Sequence, residues 1–251
     1  MKSSALTLSQ ILEKRLFRIP DYQRGYAWDD TQIKQFCDDL LVTMQTETYH
    51  YTGVIIAQKV SRCVFKNWEE DQDWRYDEGY RPYYLIDGQQ RITTFLIMLQ
   101  CLVEIARERN IGQIGENKTE DIVSQYIKSD KATMCSYTLL YEKDQNGNEC
   151  LKRCIFGKQD KMDFNAYSRR MKYVKTMLLN WIKLYLKDRS KKENESMPIQ
   201  NLYYTLVNLF VFQFYEVGSK IDVNMTFESI NNRGKVLSTL ELLKNRLIYL
   251  S

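Results

Sequence analysis

Residues 83–94 read Tyr83-Tyr84-Leu85-Ile86-Asp87-Gly88-Gln89-Gln90-Arg91-Ile92-Thr93-Thr94. The first four are aromatic or aliphatic, the make-up of a short buried strand. Over residues 93–109, apolar side chains recur at Phe95, Leu96, Leu99, Leu102, Val103 and Ala106, the spacing of a strongly apolar helix. Asp87-Gly88 between them marks a tight turn. A strand that passes this quickly into a long helix is a unit of an α/β layer.

Upstream, Thr7 and Gln10 have capping-box spacing and open a short helix over Ile11 and Leu12. Residues 17–23 are extended, because Pro20 pushes the residue before it out of helical geometry. Asp29, Asp30 and Thr31 offer N-caps to a helix whose Ile33, Phe36, Cys37, Leu40, Leu41 and Met44 form one apolar stripe. Residues 51–60 read as a strand with a partner at 63–65, and the acidic stretch 69–81 as a surface loop.

Downstream, the polar segment 112–121 divides an α/β part, residues 1–111, from a mainly helical part, residues 112–251. Residues 137–141 and 150–156 predict a hairpin around Asn146-Gly147-Asn148. A basic amphipathic helix is expected over 163–189, a helix at 199–208, a strand at 210–217 and a helix at 222–231. Ser238 and Glu241 form the capping box of a last helix carrying Leu240, Leu243, Leu247 and Leu250. The class is α+β.

Only 10 Gly and 3 Pro in 251 residues argue against a many-turned all-β chain. The net charge of +4 is too small to imply nucleic acid by itself, but it is uneven. Residues 143–192 hold fourteen Lys and Arg against five Asp and Glu, a stretch suited either to phosphate or to a solvated helix face. No apolar run approaches the roughly 20 residues that span a bilayer, and Met1-Lys2-Ser3-Ser4 opens no signal peptide. The six scattered cysteines then read as free thiols of a cytoplasmic protein, and one histidine, His50, is too few for a zinc constellation.

Three segments concentrate Arg, Gln, Asn and Gly at element ends: 19–28, 86–94 and 227–234. In the second, unpaired N–H groups at a helix start attract phosphate. Gly88 permits close approach, and Arg91 adds a forked cation. Thr93 and Thr94 offer hydroxyls, and Asp87 offers a carboxylate for water or magnesium. The same residues are equally explained by an Asp87–Arg91 salt bridge that fixes the turn. The first segment adds Gln23, Arg24 and Trp28, the last suited to stacking on a base or to core packing. The third adds Asn231, Asn232 and Arg233; capping explains Gly234 and one Asn, not the Arg.

The blocks Ile19-Pro20-x-Tyr22-Gln23-Arg24-x-Tyr26-x-Trp28, Asp87-Gly88-Gln89-Gln90-Arg91-x-Thr93-Thr94 and Phe227-x-x-Ile230-Asn231-x-Arg233-Gly234, with Leu242-Leu243-Lys244-Asn245 after the third, occur in this order. They resemble the signature of the N-terminal domain of GmrSD modification-dependent restriction enzymes, as does Gly53 before its apolar run. The resemblance implies a ParB/sulfiredoxin-like α/β half with a helical second half. It implies nucleoside triphosphate binding and hydrolysis that control cleavage of modified DNA. Carried over, Asp87, Gly88, Gln89, Gln90 and Arg91 form the nucleotide site, with Asp87, Gln89 and Arg91 as catalytic candidates and Asp87 as the magnesium ligand. Gln23 and Arg24 line the site, Trp28, Thr93 and Thr94 adjoin it, and Asn231 and Arg233 close it.

Family members usually continue into a His-Asn-His nuclease domain. With His50 alone, DNA cleavage by this chain is not expected, and it reads as a truncation or as a half-protein with a separately encoded nuclease subunit. Further candidate partners are DNA through residues 143–192 and a second copy of the chain. The leading expectation is a regulatory NTP-binding domain of a defence system. Its competitors are a non-enzymatic DNA-binding or scaffolding module and an inert gene remnant.

Overall fold

The computed structural model describes residues 2–68, 73–132, 134–157, 165–189 and 196–218. The helices expected at 222–231 and from Ser238 onward, and with them Asn231 and Arg233, lie outside these residues.

Strand β1 (Lys2–Thr7) ends at the residue that caps α1 (Leu8–Leu12). The Thr7 hydroxyl accepts from Gln10 N–H and the Gln10 side chain accepts from Thr7 N–H at 2.9 Å, the capping box read from the sequence. After β2 (Arg15–Ile19), a loop leads to α2 (Asp30–Thr46), where the Asp29 carboxylate caps the Thr31 N–H at 2.9 Å. Then follow β3 (His50–Lys59), the short helices α3 (Arg62–Phe65) and α4 (Asp73–Asp77), β4 (Arg81–Asp87) and α5 (Gln89–Glu108). Beyond α5 come a small pair, β5 (Gln113–Ile114) and β6 (Asn117–Lys118), then α6 (Thr119–Tyr126). A second pair, β7 (Lys128–Lys131) and β8 (Met134–Tyr137), precedes β9 (Leu139–Tyr141). The described chain closes with α7 (Gln145–Glu149), a π-helical turn at Cys150–Ile155, α8 (Ala166–Arg189), α9 (Ser196–Asn208) and β10 (Phe210–Val217).

The fold is α+β, built on a six-stranded mixed sheet in the order β1-β10-β3-β4-β2-β9. β4, β2 and β9 run parallel, as do β10 and β3, while β1 and β4 are antiparallel to their neighbours β10 and β3. The sheet thus takes strands from both sides of residues 112–121. Helix α5 is buried on nearly every face, which is why its apolar residues exceed a single stripe. Phe95 at its centre meets Phe36 of α2 and Phe210 and Phe212 of β10 edge-on, with ring centroids 5.0, 5.2 and 5.4 Å away. Among the described residues no helix is long and apolar enough to cross a membrane.

Three sequence expectations are corrected. Residues 63–65 are helical, not a strand: Ser61 caps the Val64 N–H, and the helix turns Phe65 inward. The 69–81 stretch, expected as a solvated loop, includes α4 among its described residues and buries Arg75 with its guanidinium 3.5 Å from the centroid of the Tyr80 ring. Phe65, Trp68 and Tyr80 cover the outer face of the sheet with Leu16 and Val60. The expected hairpin is also absent. Asp144 caps the Gly147 N–H and starts a helix, while the buried Asn148 amide takes both backbone groups of Tyr141 at 2.7 and 3.0 Å. One side chain thereby fills the place of a partner strand.

Candidate functional site

β4 carries Asp87 to the end of the sheet, where its carboxylate accepts from Gly88 N–H at 2.7 Å. Gly88 has φ +95° and serves as the N-cap of α5 without a side-chain cap. The first intrahelical bond is Ile92 N–H to Gly88 O at 3.0 Å, so the N–H groups of Gln89, Gln90 and Arg91 have no partner within the helix. Two causes require glycine at this position. Its φ is left-handed, and a Cβ would lie 2.9 Å from Ile55 Cγ1. Gly88→Ala is therefore expected to cost about 2–4 kcal/mol, read as a lower urea midpoint at unchanged slope.

The first block is stitched to this turn by its glutamines. Gln23 is buried and its Nε2 donates to Leu85 O and, at 2.9 Å, to Ile86 O of β4. Gln89 Nε2 donates to Arg24 O at 3.0 Å. Gln90 bridges twice, donating to Gly25 O at 3.2 Å and accepting from Ala27 N–H at 2.7 Å. The Tyr26 and Thr94 hydroxyls lie 2.7 Å apart, with Thr94 also directed at Gln90 O. Burial raises the Tyr26 hydroxyl pKa far above its ordinary value. Thr93 is buried as well, and Trp28 packs half-buried on the core. From α8, the Tyr167 ring lies where a Cβ of Gly25 would be, and its hydroxyl is bound by Asp144. Nothing in the residue types or spacing pointed to Tyr167 or Asp144.

Three charges remain open to a ligand. Asp87 and Arg91 stand 3.5 Å apart with side chains 33% and 26% exposed, so the ion pair that fixes the turn does form. Arg91 also donates to Val54 O of β3 at 2.6 Å, while its Nε is buried without a partner. Gly53 gives it room, since a Cβ there would stand 3.1 Å from the guanidinium. Arg24 is exposed, its backbone carbonyl held by Gln89. Among the described residues, no group of three or more His, Cys, Asp or Glu is placed to hold a metal. His50 packs on Phe210 and lies 3.6 Å from Asp39.

The turn and the loop before α2 are two of the three sequence blocks, separated by 58 residues between Trp28 and Asp87 and held together here by the side-chain amides of Gln23, Gln89 and Gln90. Residues 8–248, nearly the whole chain, match the GmrSD restriction endonuclease N-terminal domain. The chain belongs to this family. A search of curated proteins finds no match. GmrSD membership places the chain with restriction-system proteins.

The basic stretch of this GmrSD domain is less uniform in space than in sequence. Lys175 is buried in the interior, its ammonium 2.8 Å from Glu104 and 2.9 and 2.7 Å from the Cys154 and Ile155 carbonyls. Lys183 pairs with Glu108 at 2.9 Å, whereas Arg169 and Arg170 are exposed on α8.

Proposed function

We propose that the Asp87–Arg91 turn binds and hydrolyses a nucleoside triphosphate, making this chain the regulatory nucleotide-handling part of a modification-dependent restriction system. Cutting of DNA is left to a nuclease partner. The observation that carries this reading is the start of α5. It is uncapped behind a left-handed glycine, with Arg91 and the exposed Arg24 beside it. Unpaired N–H groups and the positive end of a long helix suit phosphate oxygens. Arg24 and Arg91 add forked, charge-assisted contacts.

Asp87 is the carboxylate of the turn and serves to orient water or to hold magnesium. Magnesium binds through as few as one carboxylate when nucleotide phosphates and water complete its shell, so the residues fit it. A bound ion would supply charge neutralisation at the phosphates. For Asp87 to act, Arg91 must move from its carboxylate to phosphate. Gln89 acts through the loop, by fixing the Arg24 carbonyl.

Calorimetric titration of each common nucleoside triphosphate with magnesium tests this reading on the wild type and on Arg24→Ala and Arg91→Lys. Arg24→Ala is the cleaner probe, because Arg91 also anchors β3. Arg24→Ala should weaken binding about tenfold or more without changing the melting temperature. A folded wild type that binds none of the nucleotides removes the proposal. The competing DNA-binding reading is supported by the exposed Arg169 and Arg170 of α8. It predicts salt-sensitive DNA binding that survives Arg24→Ala and falls when both α8 arginines are replaced by glutamine.

A further inference from the structure

Residues 20–29 join β2 to α2 without a helix or strand of their own, yet their backbone is held at almost every step. Asp21 accepts from the Lys143 N–H at 3.0 Å, and Gln23 is locked to β4. The Arg24 and Gly25 carbonyls accept from Gln89 and Gln90, and the Ala27 N–H donates to Gln90. The Arg24 side chain is left exposed. A loop fixed through its backbone around one open arginine is suited to present that arginine, because each restraint lowers the ordering entropy that binding would cost.

One further restraint comes from α8 and is steric. A Cβ on Gly25 would lie 2.5, 2.6 and 2.9 Å from Cγ, Cδ1 and Cβ of Tyr167. The φ of Gly25 is not left-handed, so its backbone would accept alanine, and the contact with Tyr167 is what requires glycine here. The contacting atoms are the near end of the tyrosine side chain, which cannot swing aside unless α8 moves. That helix is fixed: the Asn165 side chain accepts from the Ser168 N–H at 2.9 Å, and Lys175 ties α8 to Glu104 of α5. The Tyr167 hydroxyl donates to Asp144, whose other carboxylate oxygen caps the Gly147 N–H. Burial, and then that bond, push the Tyr167 pKa up to about 12, so at neutral pH the phenol keeps the proton that holds its ring in place. Lys143 and Asp144 thus restrain the loop at Asp21 directly and at Gly25 through Tyr167.

We propose that Tyr167 is a positioning residue of the triphosphate site, whose ring sets the backbone at Gly25 and through it the direction of the Arg24 guanidinium. This rests on the reading of Arg24 as a phosphate ligand. Arg24 is thereby placed from two sides, by the first turn of α5 and by the first turn of α8. Both parts of the chain, before and after residues 112–121, then contribute to one phosphate contact.

Hydrogen exchange over residues 24–28 and calorimetry with magnesium ATP and GTP test this on Tyr167→Ala, Tyr167→Phe, Gly25→Ala and the double variant Gly25→Ala, Tyr167→Ala. Each single alanine variant should speed exchange of the Ala27 amide about tenfold. Each should also weaken triphosphate binding about threefold to tenfold. Tyr167→Phe keeps the ring and should stay within about threefold of the wild type. In the double variant the added methyl enters the space the ring has left, so Gly25→Ala should have no further effect on either readout. Gly25→Ala leaves Tyr167 intact and reports the same contact where Tyr167→Ala does not fold. Equal effects of Gly25→Ala with and without the ring overturn the proposal, as does faster exchange at wild-type affinity. A Tyr167 that served α8 alone would lower the melting temperature and leave both readouts unaltered in the folded protein, which also overturns it. A wild type that binds neither nucleotide removes the triphosphate reading; exchange that still responds to Tyr167 then upholds its hold on the loop, and exchange that does not overturns it.

Discussion

Lys175→Ala should lower the unfolding free energy by about 3–5 kcal/mol. Lys175 sits on a segment dense in basic residues, where a solvent-facing lysine would change stability by no more than about 0.5 kcal/mol. In the fold it is 8% exposed, and its ammonium reaches Glu104 and two carbonyls at the π-helical turn. Truncation leaves a carboxylate without its cation and two carbonyls without their donor. Glu104 keeps 22% exposure and a bond from Gln100 at 2.7 Å, which favours the lower end of the range. Urea unfolding decides the matter. A loss under about 1 kcal/mol would return Lys175 to the surface, where its charge could meet DNA.

Phe95→Ala should be comparably severe, at about 3–5 kcal/mol. Phe95 has no exposed surface and contacts three rings on two other elements, α2 and β10. Its removal opens a cavity at the point where the strand furthest along the described chain enters the sheet. Hydrogen exchange at the Phe210–Val217 amides provides the local readout. Protection there should fall with global stability if β10 is integral to the sheet. Exchange of β10 that is fast already in the wild type would show that the strand opens by itself.

Caps and periodicity account for what was legible along the chain. Thr7 with Gln10 and Asp29 with Gln32 satisfy N–H groups within a few residues, so both helix starts could be read from their letters. The α5 region has too much apolar surface to be anything but interior, and the alternation at 210–217 is that of β10. Residues 139–141 are the strand β9 as read, whereas 63–65 and 150–156 misled because short apolar runs suit strand and helix alike. Ser61 and Asp144 tipped them to helix through single hydrogen bonds to nearby N–H groups.

The sequence blocks identified the Asp87–Arg91 turn and its glycine, since an Asp-Gly step between strand and helix has few other uses. They left the roles of the side chains open. A glutamine amide donates equally well to a ligand or to a carbonyl. Whether Gln23, Gln89 and Gln90 face one or the other depends on chain segments more than 60 residues away. The same holds for lysines 175 and 183, of which one is interior and the other pairs at the surface.

Local pattern in this chain is therefore sufficient for the long, capped or strongly periodic elements, the strand–turn–helix unit and the family, because caps, turns and periodicity act over a few residues. It is not sufficient for the short elements at 62–65, 73–77 and 150–155. The order of the sheet, the insertion of β10 between β1 and β3, and the division of polar side chains between scaffold and open site were set by folding. Each depends on partners that sequence distance separates and packing brings within hydrogen-bond reach.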